Sequence, residues 1–519
     1  MNAEFWDVVI VGAGPAGCVL ATRLSEDPER RVLLLEAGPD YGSVTDAWPA
    51  ELLDPTALPV ESHSWGYYHA PGPFPEGTHA PDRSELPLPR ARVVGGSAAI
   101  NGAMWIRGSA VDYDGWAARG SPGWDAAALM PSFRRAESDP AGGPLHGADG
   151  PVTIQRAGPN QQAPLDRAFL ETAQELGFEY VDDINGDEVQ SPCVGVTPKN
   201  FINGSRQNSS LSYLALARER PNLSVVSDAL ADRLIVEGRQ ALGVRAADGR
   251  EFRGRETILC CGAYGSPAVL LRSGVGPAGE LAELGIEPVV NLSGVGRNLM
   301  DHPQIARQSG LTSFIIKPEY VRETATFINT MLKARSSQSE AEIDIHLYPG
   351  EAYDERAGGW TLAFGVSLQY ARSRGTVRLT SADPEAGLAI DHNYFSDPRD
   401  LEAICDGYEL LQRIASTPPL RDMLAGPLRD GPHLRDRDVL KEVARAEAGT
   451  TYHPSTTCKM GPLRDALAVV NHRCQVRGLA GVRVVDASIF PFGPRANLHF
   501  SVCAVAEHAA QMLVAEQSA

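Results

Sequence analysis

The chain has 519 residues, more than a single hydrophobic core supports, because such cores stop growing at about 250–300 residues. Hydrophobic residues make up 43% and charged residues 22%, which excludes a mainly disordered, collagen-like or coiled-coil chain. With 47 Lys+Arg against 65 Asp+Glu the formal net charge is −18, so the electrostatic footprint of a nucleic-acid binder is missing.

No run of about 18 apolar residues stands out, so no membrane-spanning helix is expected. The opening MNAEFWDVVIVGAG lacks the basic region of a signal peptide. The eight cysteines are scattered, with no CxxC pair. That pattern fits reduced thiols and a cytoplasmic location. The His453/Cys458 and His472/Cys474 spacings do not make a zinc site, and no metal is expected.

In chain order, the β-branched run Asp7–Val11 predicts a buried strand. Gly12-Ala13-Gly14-Pro15-Ala16-Gly17 follows, then a helix from Cys18 to Ser25 and a second strand, Arg31–Leu35, ending at Glu36. From about Ala37 to Arg90 the chain is Pro-rich and irregular, an excursion over the surface or over a ligand. Val93–Ser97 is a second Gly-containing turn leading to Asn101. Pro164–Leu176 reads as an amphipathic helix, Leu223–Val236 and Glu256–Cys261 as strands, and Gly265-Ser266-Pro267 as a helix start. Ser313–Leu440 has a different texture: strand-like alternation at Ile343–Leu347 and Gly375–Leu379, and a helix over Leu401–Ile414. Val482–Asp486 repeats the character of the first strand. His499 to about Glu516 is a terminal helix with Val502, Val505, Ala509 and Leu513 on one face. Strand and Gly-turn features at both ends of the chain imply one unit built from both ends.

The first segment carries chemistry. GxGxxG alone is a weak signal, but here it follows a strand and opens a helix, and Glu36 stands 19 residues past Gly17, close to the ~20 of a dinucleotide site. Gly12 permits the tight turn, Gly14 lets backbone approach a pyrophosphate, and Gly17 allows close helix–strand packing. The helix N-terminus offers N–H groups to phosphate, and Glu36 can accept from ribose hydroxyls. The motif does not separate FAD from NAD. Two histidines keep unusual company: His453 in Thr450–Gly461, and His499 at the mouth of the last helix, whose N-terminal partial charge disfavours imidazolium. A neutral imidazole can accept a proton or orient a hydroxyl.

Taken together, the motifs resemble the glucose–methanol–choline (GMC) family of FAD-dependent oxidoreductases, essentially end to end. They are the nucleotide unit Gly12–Glu36 with Ala37-Gly38, then Arg90–Asn101, Gly262–Pro267 through Ser273–Pro277, Gly294–His302, and Val485–Ser488. The resemblance implies an α/β (α+β overall) fold: a Rossmann-type FAD-binding domain over 1–155, 215–310 and 465–519, and an antiparallel-sheet substrate domain over 156–214 and 311–464. It implies a cofactor site formed by Gly12, Gly14, Pro15, Ala16, Gly17, Glu36, Ala37, Trp65, Arg92, Val94, Gly96, Ser97, Asn101, Gly102, Ala103, Met104, Ala231, Tyr452, Asp486, Ala487 and Phe500. Ala231 stands where the family usually has a valine. Ile100 occupies the position at which some relatives attach FAD through a histidine, so non-covalent FAD is expected. His453 matches the catalytic histidine. Counting back from Ala506-Glu507 places His499, not Asn497, at the partner position. Met104, Trp105, Tyr452, Phe492 and Phe500 are expected as pocket walls.

The activity implied is oxidation of an alcohol, primary for preference, to an aldehyde, with His453 as base, hydride transfer to flavin and reoxidation by dioxygen or another acceptor. An aromatic pocket would suit aryl or furanic alcohols, and the acidic charge would suit choline or amino alcohols. The family's lyases offer a non-redox alternative.

Overall fold

The computed structural model describes residues 5–57, 62–69, 86–186, 191–305, 310–321, 328–339, 342–429 and 432–518. The Pro-rich excursion expected over Ala37–Arg90 lies partly outside the described residues. Two large sheets organise the rest. The first has seven strands in the order Ala231–Glu237, Gln240–Ala246, Glu251–Leu259, Phe5–Val11, Val32–Leu35 and Leu223–Val226, with Val482–Val484 also pairing Glu251–Leu259. Its centre is parallel, as a βαβ unit demands: Phe5–Val11 runs parallel to both neighbours, and Val482–Val484 runs parallel to Glu251–Leu259. Val8 to Val11 are all buried, as befits a strand covered on both faces. The last strand, contributed from beyond residue 480, closes a unit built from both ends of the chain.

Three elements differ from the sequence reading in instructive ways. The first helix spans Pro15–Leu24, with Pro15 rather than Cys18 in the first turn, where its missing N–H is no loss. Leu223–Val236 is two strands, Leu223–Val226 and Ala231–Glu237, broken at Asp228, whose φ is +51°. The helix predicted to start at Gly265 begins at Gly262 and runs to Arg272, with Pro267 inside it. Proline cannot donate to the carbonyl four residues back. Thr457 Oγ1 supplies that hydrogen bond instead, donating to Ala263 O at 2.6 Å.

The C-terminal helix, Leu498–Ser518, packs on Pro15–Leu24 and Ala126–Ala136. Arg23 Nη2 and the fully buried Glu507 fix that packing at 2.8 Å. Over Leu498–Glu516 this helix is long and apolar enough to pass as a membrane span by length and composition, contrary to the sequence reading, but 72% of the apolar window is buried inside the protein. It is a core helix here, with Val502, Val505, Ala509 and Leu513 in the main hydrophobic cluster.

The second sheet has nine strands. Its main path is Leu424–Pro427, Ser313–Ile316, Gly359–Leu368, Ile345–Asp354, Thr330–Ala334, Cys193–Val196 and Glu179–Val181, joined by Pro303–Ile305 and Ala448–Thr450. All its pairings are antiparallel except the last on the main path. Pro303–Ile305 pairs with Ala448–Thr450, so this segment already belongs to the second sheet. Thr376–Leu379 joins neither large sheet; it forms a separate hairpin with Leu388–Asp391. All eight cysteines are free thiols.

Candidate active site

Residues from both sheets line one cavity of about 610 Å³. One end is the loop after the first strand. Gly12 has φ +99°, and a Cβ there would fall 2.6 Å from Cys260 O. At Gly17 a Cβ would lie 1.9 Å from Gly12 O, so only glycine lets the helix sit this close to the strand. A Cβ on Gly96 would come within 2.5 Å of Gly14 Cα, so backbone alone walls this part of the cavity. No side chain caps helix Pro15–Leu24, and no acidic residue stands in its first turn. Its first N–H groups are therefore open to an anionic ligand. Glu36 accepts from Ala13 N at 2.9 Å and from Gly38 N at 3.0 Å, and burial pushes its carboxyl up to about 7. Trp65 lies beneath the Arg92 guanidinium, 5.1 Å from ring centroid to charge.

The other end is built from the segment after Ala448–Thr450 and from the start of the C-terminal helix. Tyr452, a non-glycine residue with φ +66°, turns the chain into His453; such a conformation is uncommon for a large side chain. His453 N donates to Asp301 Oδ1 at 2.8 Å. Burial pushes the Asp301 carboxyl up, but the facing His392 and the hydroxyls of Thr450 and Tyr394, each 2.5 Å from Oδ2, bring it below its ordinary value.

The neighbours of His453 decide its tautomer. Thr451 Oγ1 spends its proton on His302 O at 2.8 Å, so toward His453 Nδ1, 3.1 Å away, it can only accept. His302 bonds the Pro494 carbonyl through one ring nitrogen and presents Nδ1 to His453 Nδ1 at 3.0 Å. The proton of His453 therefore sits on Nδ1, and Nε2 carries the lone pair. Asn497 Nδ2 donates to that nitrogen at 3.2 Å, leaving the buried Asn497 Oδ1 without a partner. His499 stands nearby: Nδ1 is 3.3 Å from Asn101 Nδ2, Nε2 is 3.5 Å from Ser209 Oγ, and its ring meets Trp105 edge-on at 5.0 Å.

Burial pushes His453 well below its ordinary value, and pushes His302 and His499 each down to about 4. For His499 burial is the cause, where the sequence reading invoked the helix terminus. Between about pH 6.5 and 4 only the unfolded chain binds these protons, so their contribution to stability is complete above that range and is lost as the pH falls through it. The drop in thermal midpoint between about pH 6.5 and 5 should therefore be smaller in His499→Asn than in the parent protein. Equal drops would contradict the assignment.

Most of the residues named from sequence come together on this cavity: Gly12, Gly14, Pro15, Ala16, Glu36, Ala37, Trp65, Arg92, Gly96, Ser97, Asn101, Gly102, Ala103, Met104, Ala231, Tyr452, His453, Asp486, Ala487 and His499. Asp486 accepts from Gly262 N and Ser266 Oγ, which ties the C-terminal segment to the start of helix Gly262–Arg272. Gly17 and Val94 lie behind the wall, Gly17 packed on Gly12 and Val94 in the core. Phe500 is corrected: it is fully buried between Trp105, 4.4 Å away, and Phe133, 4.8 Å away. Trp105 and Phe492 do not line the cavity either. Trp105 turns its Nε1–H to Glu137 Oε2 at 2.8 Å, and Phe492 lies under the Arg119 guanidinium. Glu137 also holds His146 together with Asp139 and Asp183. Burial opposes the charge on that imidazole, but the three carboxylates outweigh it and push His146 up to about 11.

Sequence reasoning set Asn497 aside, yet its amide is the group that meets His453 Nε2. It also assigned no role to Asp301, His302 or Thr451. The Gly294–His302 motif carried the first two; no pattern marked the third.

A nucleotide-type loop and a buried histidine share one cavity, the arrangement expected of a cofactor-dependent oxidoreductase. Comparison with known proteins agrees. The GMC oxidoreductase N-terminal family model matches residues 6–304 and its C-terminal counterpart residues 371–506. The mitochondrial choline dehydrogenase of Mus musculus is 36% identical, over 99% of this chain and 90% of its own length. The oxygen-dependent choline dehydrogenase of Photobacterium profundum is 34% identical, over 99% and 94%. Among solved structures, pyridoxine 4-oxidase from Mesorbium loti superposes with a TM-score of 0.86 at 28% identity, covering 98% of this chain and 99% of that one. The chain belongs to the GMC oxidoreductase family and is an FAD-dependent oxidoreductase of the alcohol-oxidising type.

Proposed function

We propose that the protein oxidises a primary alcohol to its aldehyde with His453 as general base. The observation that carries this reading is the Nε2 lone pair of His453, fixed toward the cavity by two acceptors at Nδ1. The residues fit FAD. The glycine-walled loop, the uncapped helix and Glu36 would hold its dinucleotide part, and Asn101 to Met104, Asp486 and Ala487 would border its ring. When bound, FAD supplies a two-electron acceptor for the hydride of the alcohol carbon. His453 Nε2 takes the hydroxyl proton, and a base so placed is worth roughly 10²–10⁴-fold. Asn497, whose Nδ2 meets His453 Nε2, orients the oxygen that loses it. Asp301 holds the backbone of His453, while His302 and Thr451 hold its ring.

Ile100 lines the cavity and has no atom able to bond covalently to a flavin. Acid precipitation of the yellow protein should therefore release all its flavin into the supernatant; colour retained in the pellet would contradict non-covalent binding.

Similarity to choline dehydrogenases supports a cationic substrate. The cavity favours an uncharged one: of the carboxylates on its described lining, Glu36 is bonded to the backbone of the nucleotide loop, Asp486 to Gly262 N and Ser266 Oγ, and Glu385 shows no contact with His453, so none is placed to face an ammonium. Steady-state assays with choline and with uncharged aryl and aliphatic alcohols, following aldehyde, peroxide and dye reduction together, should give the higher kcat/KM to an uncharged alcohol. A preference for choline would reverse the substrate reading and leave the chemistry intact. The dispersed free thiols support a cytoplasmic enzyme.

A further inference from the structure

Lys333 and His346 are direct partners on adjacent antiparallel strands, so their side chains project from the same face of the second sheet. Both are buried, at 5% and 0% exposure. They line a second cavity of about 80 Å³ together with Arg107, Arg495, Glu342 and Tyr113. A single water needs about 10–15 Å³ measured this way, so the space holds a small ion with room to spare.

The charges around it do not balance. Arg495 is paired with Asp112. Arg107, 7% exposed, spends its guanidinium on the carbonyls of Leu145 and Asn185. Lys333 Nζ donates to Ile184 O at 2.9 Å, which uses one of its three N–H bonds. Among the described residues no carboxylate lies within 4.0 Å of either cation, and the half-buried Glu342 pairs with neither. Burial pushes Lys333 down to about 8, so it remains cationic at neutral pH. Among the described residues neither ring nitrogen of His346 has a hydrogen-bond partner. Asp183 and Asp112 act on Lys333 only from beyond contact. Two buried cations with no carboxylate against them, and an imidazole with an unused N–H, are costly unless something negative enters.

We propose that this cavity is a binding site for a small monovalent anion of halide size, held by Lys333, Arg107 and a ring N–H of His346. The site is separate from the FAD and alcohol cavity: none of these three residues lines that space. It lies behind the histidine end, close enough that a proton taken up by His302 or His453 would act on His346. An anion there offsets positive charge in the region where the base takes up its proton.

Bromide is the probe. Crystals of the FAD-loaded enzyme soaked in sodium bromide and measured at the bromine absorption edge should show an anomalous peak inside the cavity, against Lys333 Nζ. Water alone in the cavity, or bromide at the surface as an adventitious ion only, would overturn the proposal. In solution, bromide should raise the thermal midpoint saturably by about 1–3 °C over sodium gluconate at equal ionic strength. Lys333→Met should abolish that increment. An equal effect of gluconate, or an increment that survives in Lys333→Met, counts against the site. If that variant does not fold, the bromide density in the parent enzyme decides alone.

Discussion

His453→Ala is expected to keep its FAD and to lose about 10²–10⁴-fold in the rate of flavin reduction by alcohol. The cofactor contacts do not depend on the imidazole, since the nucleotide loop, Glu36 and helix Pro15–Leu24 lie at the other end of the cavity. What the variant removes is, among the described residues, the ring nitrogen whose lone pair its neighbours set toward the space. His499 is a poor substitute: its nitrogens already face Asn101 and Ser209. Stopped-flow reduction under anaerobic conditions reads the effect without interference from reoxidation. A variant reduced as fast as the parent would remove His453 from the base role and direct attention to His499.

Gly17→Ala is expected to yield protein without flavin, or no soluble protein. The added Cβ would sit 1.9 Å from Gly12 O and 3.0 Å from Gly12 C, both backbone atoms of the turn itself. Relief requires the helix to move off the strand, which withdraws the open N–H groups of its first turn from the cavity. The overpacking penalty in a well-packed core is about 1–3 kcal/mol, occasionally more. Here the clash is with main chain, so side-chain repacking cannot absorb it. The ratio of flavin to protein absorbance in purified variant and parent measures the loss. Full flavin content would show that the loop accommodates a methyl group.

The nucleotide end of the cavity was legible because it is local. Glycine spacing, a preceding strand and an acid at the end of the next strand all fall within residues 7–36, and each has a steric or electrostatic reason to be there. The histidine end was legible only in part. His453 stands out by its company, but the groups that hold its backbone and ring include Asp301, His302 and Asn497, and no sequence period links such distant positions.

Of the expected aromatic walls Tyr452 lines the cavity, and Trp105 and Phe500 miss it for a simpler reason. Phe500 follows His499 on a helix, where consecutive residues point about 100° apart; if one faces the cavity, the next faces the core. Trp105 follows Met104 in extended chain, where side chains alternate between faces. Neighbours of a site residue are thus poor candidates for the same wall, while residues remote in sequence, such as Tyr348 and Gln304, supply it.

The central claim is that the cavity joining loop and histidine performs redox chemistry on an alcohol. Anaerobic mixing of the yellow enzyme with its best alcohol tests this directly. The account predicts full bleaching of the flavin with one aldehyde formed per flavin. Alcohol consumed while the flavin stays oxidised would contradict it, and would make the protein a lyase that carries FAD without using its electrons.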